Sequence, residues 1–299
     1  MTFDPLSAKG VSIERLRGFC AVVEAGSIVR AAYQDPSRQS QLSRQIAELE
    51  DALEVKLFER VNRRLVLTES GRSLALMTRS YFDGLTELAA AGSHGAVITI
   101  AAAESVLVEL VYPRLSGMRI AVPNCKFAFE NCRTEDVVQR LRSGRVDIGI
   151  VRENAATEFD TISLSRVSYV LAVPRNILPQ RHSSGLDCLR GLPIAMLRGA
   201  GEFSRTLTAI IGKAGIEIQL VAETDTFAGI YELVRTRVVA AILPKAMAKS
   251  LPADKFATIE SDEFAILDRS LVVATLERTV SQRRLLSSAT PRLVSVWRP

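Results

Sequence analysis

Arg38, Gln39, Ser40, Gln41, Ser43 and Arg44 crowd one short stretch of the chain. Side chains of these types hydrogen-bond the edges of base pairs, arginine to guanine and glutamine to adenine, and bring no negative charge into a groove. Leu42, Ile46, Leu49 and Leu53 recur at intervals of four, three and four residues, which predicts one narrow apolar face of a helix. Ser40, Ser43, Arg44 and Ala47 then point the opposite way, with Arg38 and Gln39 at the exposed N-terminal end. In an isolated segment a merely solvated face is the commoner reading, so the flanking elements carry the decision.

Upstream, Ile13, Leu16, Phe19 and Val23 follow helical spacing; Ser12 suits an N-cap and Gly26 a stop. Ser27 suits the cap of a second, short helix from Ile28 to about Tyr33, and Asp35-Pro36-Ser37 reads as a breaker. Two short helices, a tight turn and a polar-faced amphipathic helix make a helix-turn-helix. Downstream, Val55 to Arg60, the basic Asn62-Arg63-Arg64 and the β-leaning Leu65 to Thr68 predict a two-stranded wing. Arg60, Arg63 and Arg64 would meet phosphates there. Ser27, Arg30 and Ser37, at the edges of the helices, complete the expected DNA contacts.

Here the chain resembles the LysR-type transcriptional regulators. The residues that carry the resemblance are Gly26-Ser27-Ile28, Arg30-Ala31-Ala32, Gln39-Ser40, Leu42 to Ile46, Leu49-Glu50, Leu57 to Arg60 and Leu67 to Gly71. It departs from the family at Asp35 and Ser37, where apolar residues are usual, and at Arg38, where serine is usual. The turn is therefore expected to be built differently, with Pro36 supplying stiffness.

Charge gives little help. The net charge of +5 suits a nucleic-acid binder, but Met1 to Gly92 holds 12 Lys+Arg and 12 Asp+Glu, so the basic footprint is local. The chain begins without the basic and apolar regions of a signal peptide and has no apolar run long enough to span a membrane, which points to a cytoplasmic protein without membrane attachment. Cys20, Cys125, Cys132 and Cys188 show no CxxC or zinc spacing and read as free thiols; the resemblance, through relatives that sense oxidants with a cysteine pair, makes Cys125 with Cys132 a candidate redox pair. No metal or cofactor is expected.

From Glu69 to about Ala91 the chain reads as one long helix with an apolar seam of Leu74, Met77, Tyr81, Leu85 and Leu88. The seam fits either this chain's own domains or another chain. The resemblance implies the second: a homodimer through this helix, a homotetramer built as a dimer of dimers, operator DNA as partner and RNA polymerase as a further candidate. Gly92 to Gly95 reads as a flexible linker.

Beyond Gly95 strands alternate with helices, which predicts α/β layers with largely parallel sheets. The expected fold class is α/β overall: an N-terminal all-α winged helix-turn-helix over 12–70, a linker helix over 71–92, and a two-lobed α/β effector domain of periplasmic-binding-protein type over 96–299. Its first lobe takes 96–168 and 271–299, its second 169–270. Ligands of such sheets sit at the carboxyl ends of strands. That rule selects Ala102, Ala103, Glu104, Ser105, Glu130, Asn131, Arg152, Arg198, Gly199, Gly201, Glu202, Thr224, Asp225 and Thr226 for a small-molecule effector, each equally readable as a cap or a surface charge. Arg237 and Val239 stand where the family commonly carries glycines, and a β-carbon there disfavours positive φ.

Three rivals remain. An enzyme is disfavoured by having only His94 and His182 and no triad, metal cluster or phosphate-binding glycine loop. A solute-binding protein of two-lobed type fits the C-terminal pattern but not the N-terminal helices. An effector-independent DNA-binding protein fits the helices but leaves two lobes without a role.

Overall fold

Ser12 and Gly26 bracket the first helix. Helix α1 (Ile13–Ala25) starts where the Ser12 hydroxyl accepts from Arg15 N at 3.2 Å and ends at Gly26, φ 64°, whose N–H reaches Val22 O. The computed structural model containing it describes residues 10–62, 64–90, 96–179, 185–199 and 201–298. Arg63, His94, His182 and the expected 92–95 linker lie outside the described residues.

Helix α2 (Ile28–Ala31) is shorter than expected, because Tyr33 and Gln34 adopt positive φ, 51° and 65°. Helix α3 (Pro36–Leu53) begins two residues earlier than the expected breaker allows. Pro36 occupies its first turn, where no N–H is needed, and Asp35 caps it by accepting from Ser37 N at 2.9 Å and Arg38 N at 3.4 Å. The turn thus lies at Tyr33-Gln34, and Asp35-Pro36 starts the helix.

Leu42, Ile46 and Leu49 are buried against Phe19, Val22, Ala31 and Ala32. Each large side chain so buried contributes about 1.5–3 kcal/mol. Strands β1 (Phe58–Val61) and β2 (Arg64–Leu67) pair antiparallel, Phe58 against Leu67. Glu50 accepts from Leu57 N at 2.8 Å and Phe58 N at 3.3 Å, pinning this hairpin to α3. Helix α4 (Glu69–Ala90) follows. Gly71 lies so near the hairpin that a β-carbon would meet Leu57 O at 2.0 Å.

The rest of the described chain forms two groups of sheets. Strand β3 (Val97–Ala102) leads to a continuous helical stretch: α5 (Glu104–Val106), a π-type turn, a 3-10 turn and α6 (Leu115–Ala121). Then come β4 (Lys126–Asn131), α7 (Thr134–Arg142), β5 (Ile148–Arg152) and β6 (Asp160–Val167). The second group holds β7 (Tyr169–Pro174), β8 (Pro193–Leu197), α8 (Glu202–Lys213), β9 (Gln219–Thr224), α9 (Phe227–Arg235), β10 (Ala241–Pro244), α10 (Lys245–Ala248) and β11 (Phe256–Ile259). Strand β12 (Arg269–Thr275), α11 (Glu277–Gln282) and α12 (Arg284–Trp297) return to the first group.

The first sheet has the order β4-β3-β5-β12-β6, and its core gathers Ile98, Ile100, Ile148, Val273, Leu286 and Trp297. The sheets are mixed rather than largely parallel. β3 is parallel to β4 and β5, and β8 to β9, but β12 is antiparallel to β5 and β6, and β7 to β10 and β11. In the first sheet the returning strand causes the difference, since it enters from the other group and runs against its neighbours. The chain crosses between the groups at Ser168 and at Asp268, and the two crossings lie side by side, Arg269 opposite Val167.

Arg237 overturns a second expectation. Its φ is 65° despite its β-carbon, its N–H closes the end of α9 on Val234 O at 2.9 Å, and its own O accepts from Asn176 Nδ2 at 3.0 Å. A left-handed non-glycine residue costs about 1 kcal/mol or more, and the Arg237 side chain is exposed. Arg237→Gly should therefore raise stability by about 0.5–1 kcal/mol after the added freedom of the unfolded chain is counted. A urea midpoint that falls would show that the arginine side chain stabilises the loop.

Candidate nucleic-acid interface and interlobe cleft

Helix α3 presents Ser37, Arg38, Gln39, Ser40, Gln41, Ser43, Arg44 and Ala47 to solvent while Leu42, Ile46 and Leu49 face inward. Arg44 is 81% exposed and lies 3.6 Å from Glu48; Arg15 binds the same carboxylate. Ser40 Oγ donates to Pro36 O at 3.0 Å, which leaves its lone pairs outward. Gln41 donates to Glu14 at 3.4 Å, so its amide is held toward α1. Ser27 stands at the start of α2 without a side-chain capping bond, and Arg30, Arg60 and Arg64 are exposed around the helix. The arrangement is a polar, basic ridge with a flanking hairpin, shaped to enter a major groove and hold adjoining phosphates.

Tyr33 joins this surface without any signal in the sequence. It is 82% exposed and lies under the Arg38 guanidinium, 5.5 Å from ring centroid to charge. Its positive φ swings the ring to the entry of α3, a placement that composition and periodicity do not encode.

The carboxyl ends of β3, β4 and β5 face the second sheet group, and α5 packs against α9 across the gap. Arg152, the last residue of β5, forms an ion pair with Glu202, the first residue of α8, and lies 3.8 Å from Glu135. Arg269 lies 3.9 Å from the other Glu202 oxygen. Burial, and then the neighbouring Arg269 charge, pull the Arg152 guanidinium below its ordinary value. Beside them Tyr169, Phe203 and Phe227 pack ring to ring at 4.8, 5.9 and 5.0 Å, and burial pushes the Tyr169 hydroxyl up to about 12. Two polar atoms in this region, Glu104 Oε2 and Arg269 Nη2, are buried without a hydrogen-bond partner among the described residues. An orphaned buried charge is costly unless a ligand or solvent meets it.

The remaining expected cleft residues divide. Ala102 is buried at the end of β3, and Ala103 and Ser105 are half-buried beside it. Glu130 pairs with Arg140 of α7, and Asn131 is exposed. Arg198 and Asp225 form a two-pronged pair at 3.1 and 2.7 Å on the outer rim. Thr226 caps α9 by accepting from Gly229 N, and Thr224 packs against Gly229. Gly199, φ 100°, and Gly201 shape the approach to α8. Arg269, Tyr169, Phe203 and Phe227 escape the strand-end rule; the one clue to them in the sequence is that Tyr169 and Arg269 flank the chain's two crossings.

Cys125 and Cys132 sit just before and just after β4. At about 3.3 Å per residue the strand keeps them about 20 Å apart, far beyond the roughly 7 Å limit for a disulfide. Burial pushes the Cys20 and Cys188 thiols up to about 11 and raises that of Cys132. Among the described residues no helix is long and apolar enough to cross a membrane.

Two family models match the chain. One, a bacterial regulatory helix-turn-helix protein of the lysR family, covers residues 13–72; the other, the LysR substrate binding domain, covers 91–287. The chain is 29% identical over 253 residues to a probable HTH-type transcriptional regulator LrrA of Synechococcus elongatus, covering 82% of this chain and 84% of that protein. It is 28% identical over 221 residues to a probable hydrogen peroxide-inducible genes activator of Mycobacterium leprae, 70% of each chain. Its fold matches that of full-length LysG of Corynebacterium glutamicum with bound effector Arg, at a TM-score of 0.63 and 17% identity, over 97% of this chain and 100% of that one.

Proposed function

The chain belongs to the LysR family of transcriptional regulators, and we propose that it reads a two-fold operator with α3 and changes that reading when a small molecule enters the cleft between its two α/β lobes. It is a DNA-binding regulator with an effector-binding domain, and not an enzyme. The observation that carries the operator reading is the exposed Ser40, Ser43 and Arg44 face on a helix whose opposite side is fully committed to the core. Ser43 and Arg44 read base edges, Gln39 and Arg38 the entry of the helix, and Ser27, Arg30, Arg60 and Arg64 the phosphates.

In this reading the DNA-binding unit takes 12–70, the linker helix 71–92 and the effector unit 96–299. Two chains join along α4, two such dimers form a tetramer, and RNA polymerase is met at the promoter in the cytoplasm. Arg152, Glu104 and Arg269 contact the effector, at the place where Glu202 meets the two arginines. A peroxide response through a Cys125–Cys132 disulfide is not favoured, because β4 holds the thiols apart and burial raises that of Cys132.

Arg44→Ala tests the reading. Operator binding should weaken by about 1–3 kcal/mol and preference at one base position should relax. Unchanged affinity and preference in a binding-site selection would remove Arg44 from the groove.

A further inference from the structure

Three charges meet where the lobes face each other, and one of them comes from the wrong side to be a lobe's own salt bridge. Arg152 ends β5 in the first lobe, Arg269 begins the strand that returns to it, and Glu202 opens α8 in the second. The Glu202 carboxylate gives one oxygen to Arg152 and turns the other toward Arg269 at 3.9 Å, too far for a hydrogen bond. Arg269 Nη2 consequently stays buried without a hydrogen-bond partner, although the other nitrogen, Nη1, is satisfied by Ile266 O and Asp268 O. The two arginines are 18% and 13% exposed, so this is a pair of desolvated like charges that share the Glu202 carboxylate, with the exposed Glu135 a further 3.8 Å from Arg152 alone.

We propose that Glu202 is a tethered stand-in for the effector's own acid group: the effector is a small organic carboxylate that takes Arg152 and Arg269 together, displaces Glu202 and so breaks the ion pair that joins the lobes. A free carboxylate can bridge two guanidiniums with both oxygens, which Glu202, fixed at the start of α8, does not do. Glu104 Oε2, buried and without a partner on α5, is left for a hydrogen-bond donor elsewhere on the same molecule, and the rings of Tyr169, Phe203 and Phe227 for its apolar part. Binding then trades an internal contact for an external one, and the signal is the release of Glu202. The inference rests on the interlobe cleft being the effector site.

The experiment is chemical rescue in the full chain. Glu202→Ala vacates the carboxylate position, and sodium propionate should fill it. Expected is a rise in melting temperature of about 2–4 °C in propionate over sodium chloride at equal ionic strength, seen in Glu202→Ala and absent from the unmodified chain. The rise should vanish in the double variant Glu202→Ala, Arg269→Met. Operator binding by Glu202→Ala should also differ from that of the unmodified chain before any ligand is added. Equal responses to propionate and chloride in all three chains overturn the stand-in role. Should Glu202→Ala fail to fold, Glu202→Gln keeps the shape and removes the charge; a propionate-specific rise supports the proposal and its absence overturns it. Rescue is read without DNA, so its failure leaves the operator reading standing. Rescue with unaltered operator binding instead disproves control from the cleft.

Discussion

Leu85→Glu should turn the regulator into a folded monomer that no longer holds its operator. On α4, Met77, Tyr81 and Leu85 are 54%, 49% and 43% exposed and follow one another at intervals of four residues, while Ala75, Thr78 and Ser80 of the same helix are buried. The helix therefore has an inner face that belongs to this chain and an apolar outer stripe that does not. A carboxylate in the middle of a paired stripe is desolvated with no cation opposite, whereas in the single chain it is simply hydrated. Folding stability should change by no more than about 0.5 kcal/mol, as for other surface substitutions. Light scattering should report half the mass or less. Operator affinity should fall by about 100-fold or more, because the second half-site is then found from bulk solution rather than at the high local concentration that a joined pair provides. Mass and affinity equal to those of the unmodified chain would place the subunit contact elsewhere.

That stripe is legible in the amino-acid sequence, and the reason is local. Helical spacing over Leu42 to Leu53 and over Met77 to Leu85, the capping residues Ser12 and Gly26, and the β-leaning runs of the wing all act within a few residues, and each suffices to place its element. What is not legible depends on distant partners. The direction of β12 is set by where the chain re-enters the first lobe, which the alternation of strands and helices, read as largely parallel sheets, does not reveal. The cleft residues Arg269 and Tyr169 owe their position to two crossings about 100 residues apart in the sequence, and the pairing of Arg152 with Glu202 spans both lobes. Single-residue backbone conformations are hidden as well. Tyr33, Gln34 and Arg237 carry β-carbons that argue against positive φ, yet neighbouring hydrogen bonds and packing impose it. In the DNA-binding unit the departure at Asp35 to Arg38 is a repositioned turn with an ordinary acidic cap, which leaves Ser43 and Arg44 on the exposed face the family pattern implies.

Arg283→Met should cost more stability than any surface change, about 3–5 kcal/mol, because it strands a buried carboxylate. Arg283 is 4% exposed and Asp147 6%. The guanidinium binds Asp147 Oδ1 and donates to Val97 O at 3.1 Å, while Asp147 Oδ2 accepts from Thr99 N at 2.8 Å. The same guanidinium lies 3.6 Å from Asp83 of α4. One side chain thereby ties the first strand of the effector unit, the loop before β5 and the linker helix. Burial pushes the Asp147 carboxyl up to about 6, against the pull of Arg283 and of the Thr99 N–H. Its folded value thus lies above the unfolded one, and its contribution is full below about pH 4 and lost as the pH rises through 6. Methionine removes the stronger of the two cations, Arg283 and Arg79, that oppose this shift, so in the variant Asp147 should take up a proton at still higher pH. The deficit should then be large at pH 8, where the stranded group is ionised, and smaller at pH 5, where it is neutral and needs only a hydrogen bond. Unfolding by urea at those two pH values measures both. A small loss, equal at the two, would show that Asp147 is not ionised in the folded chain and that the tie between α4 and the effector unit is made by packing alone.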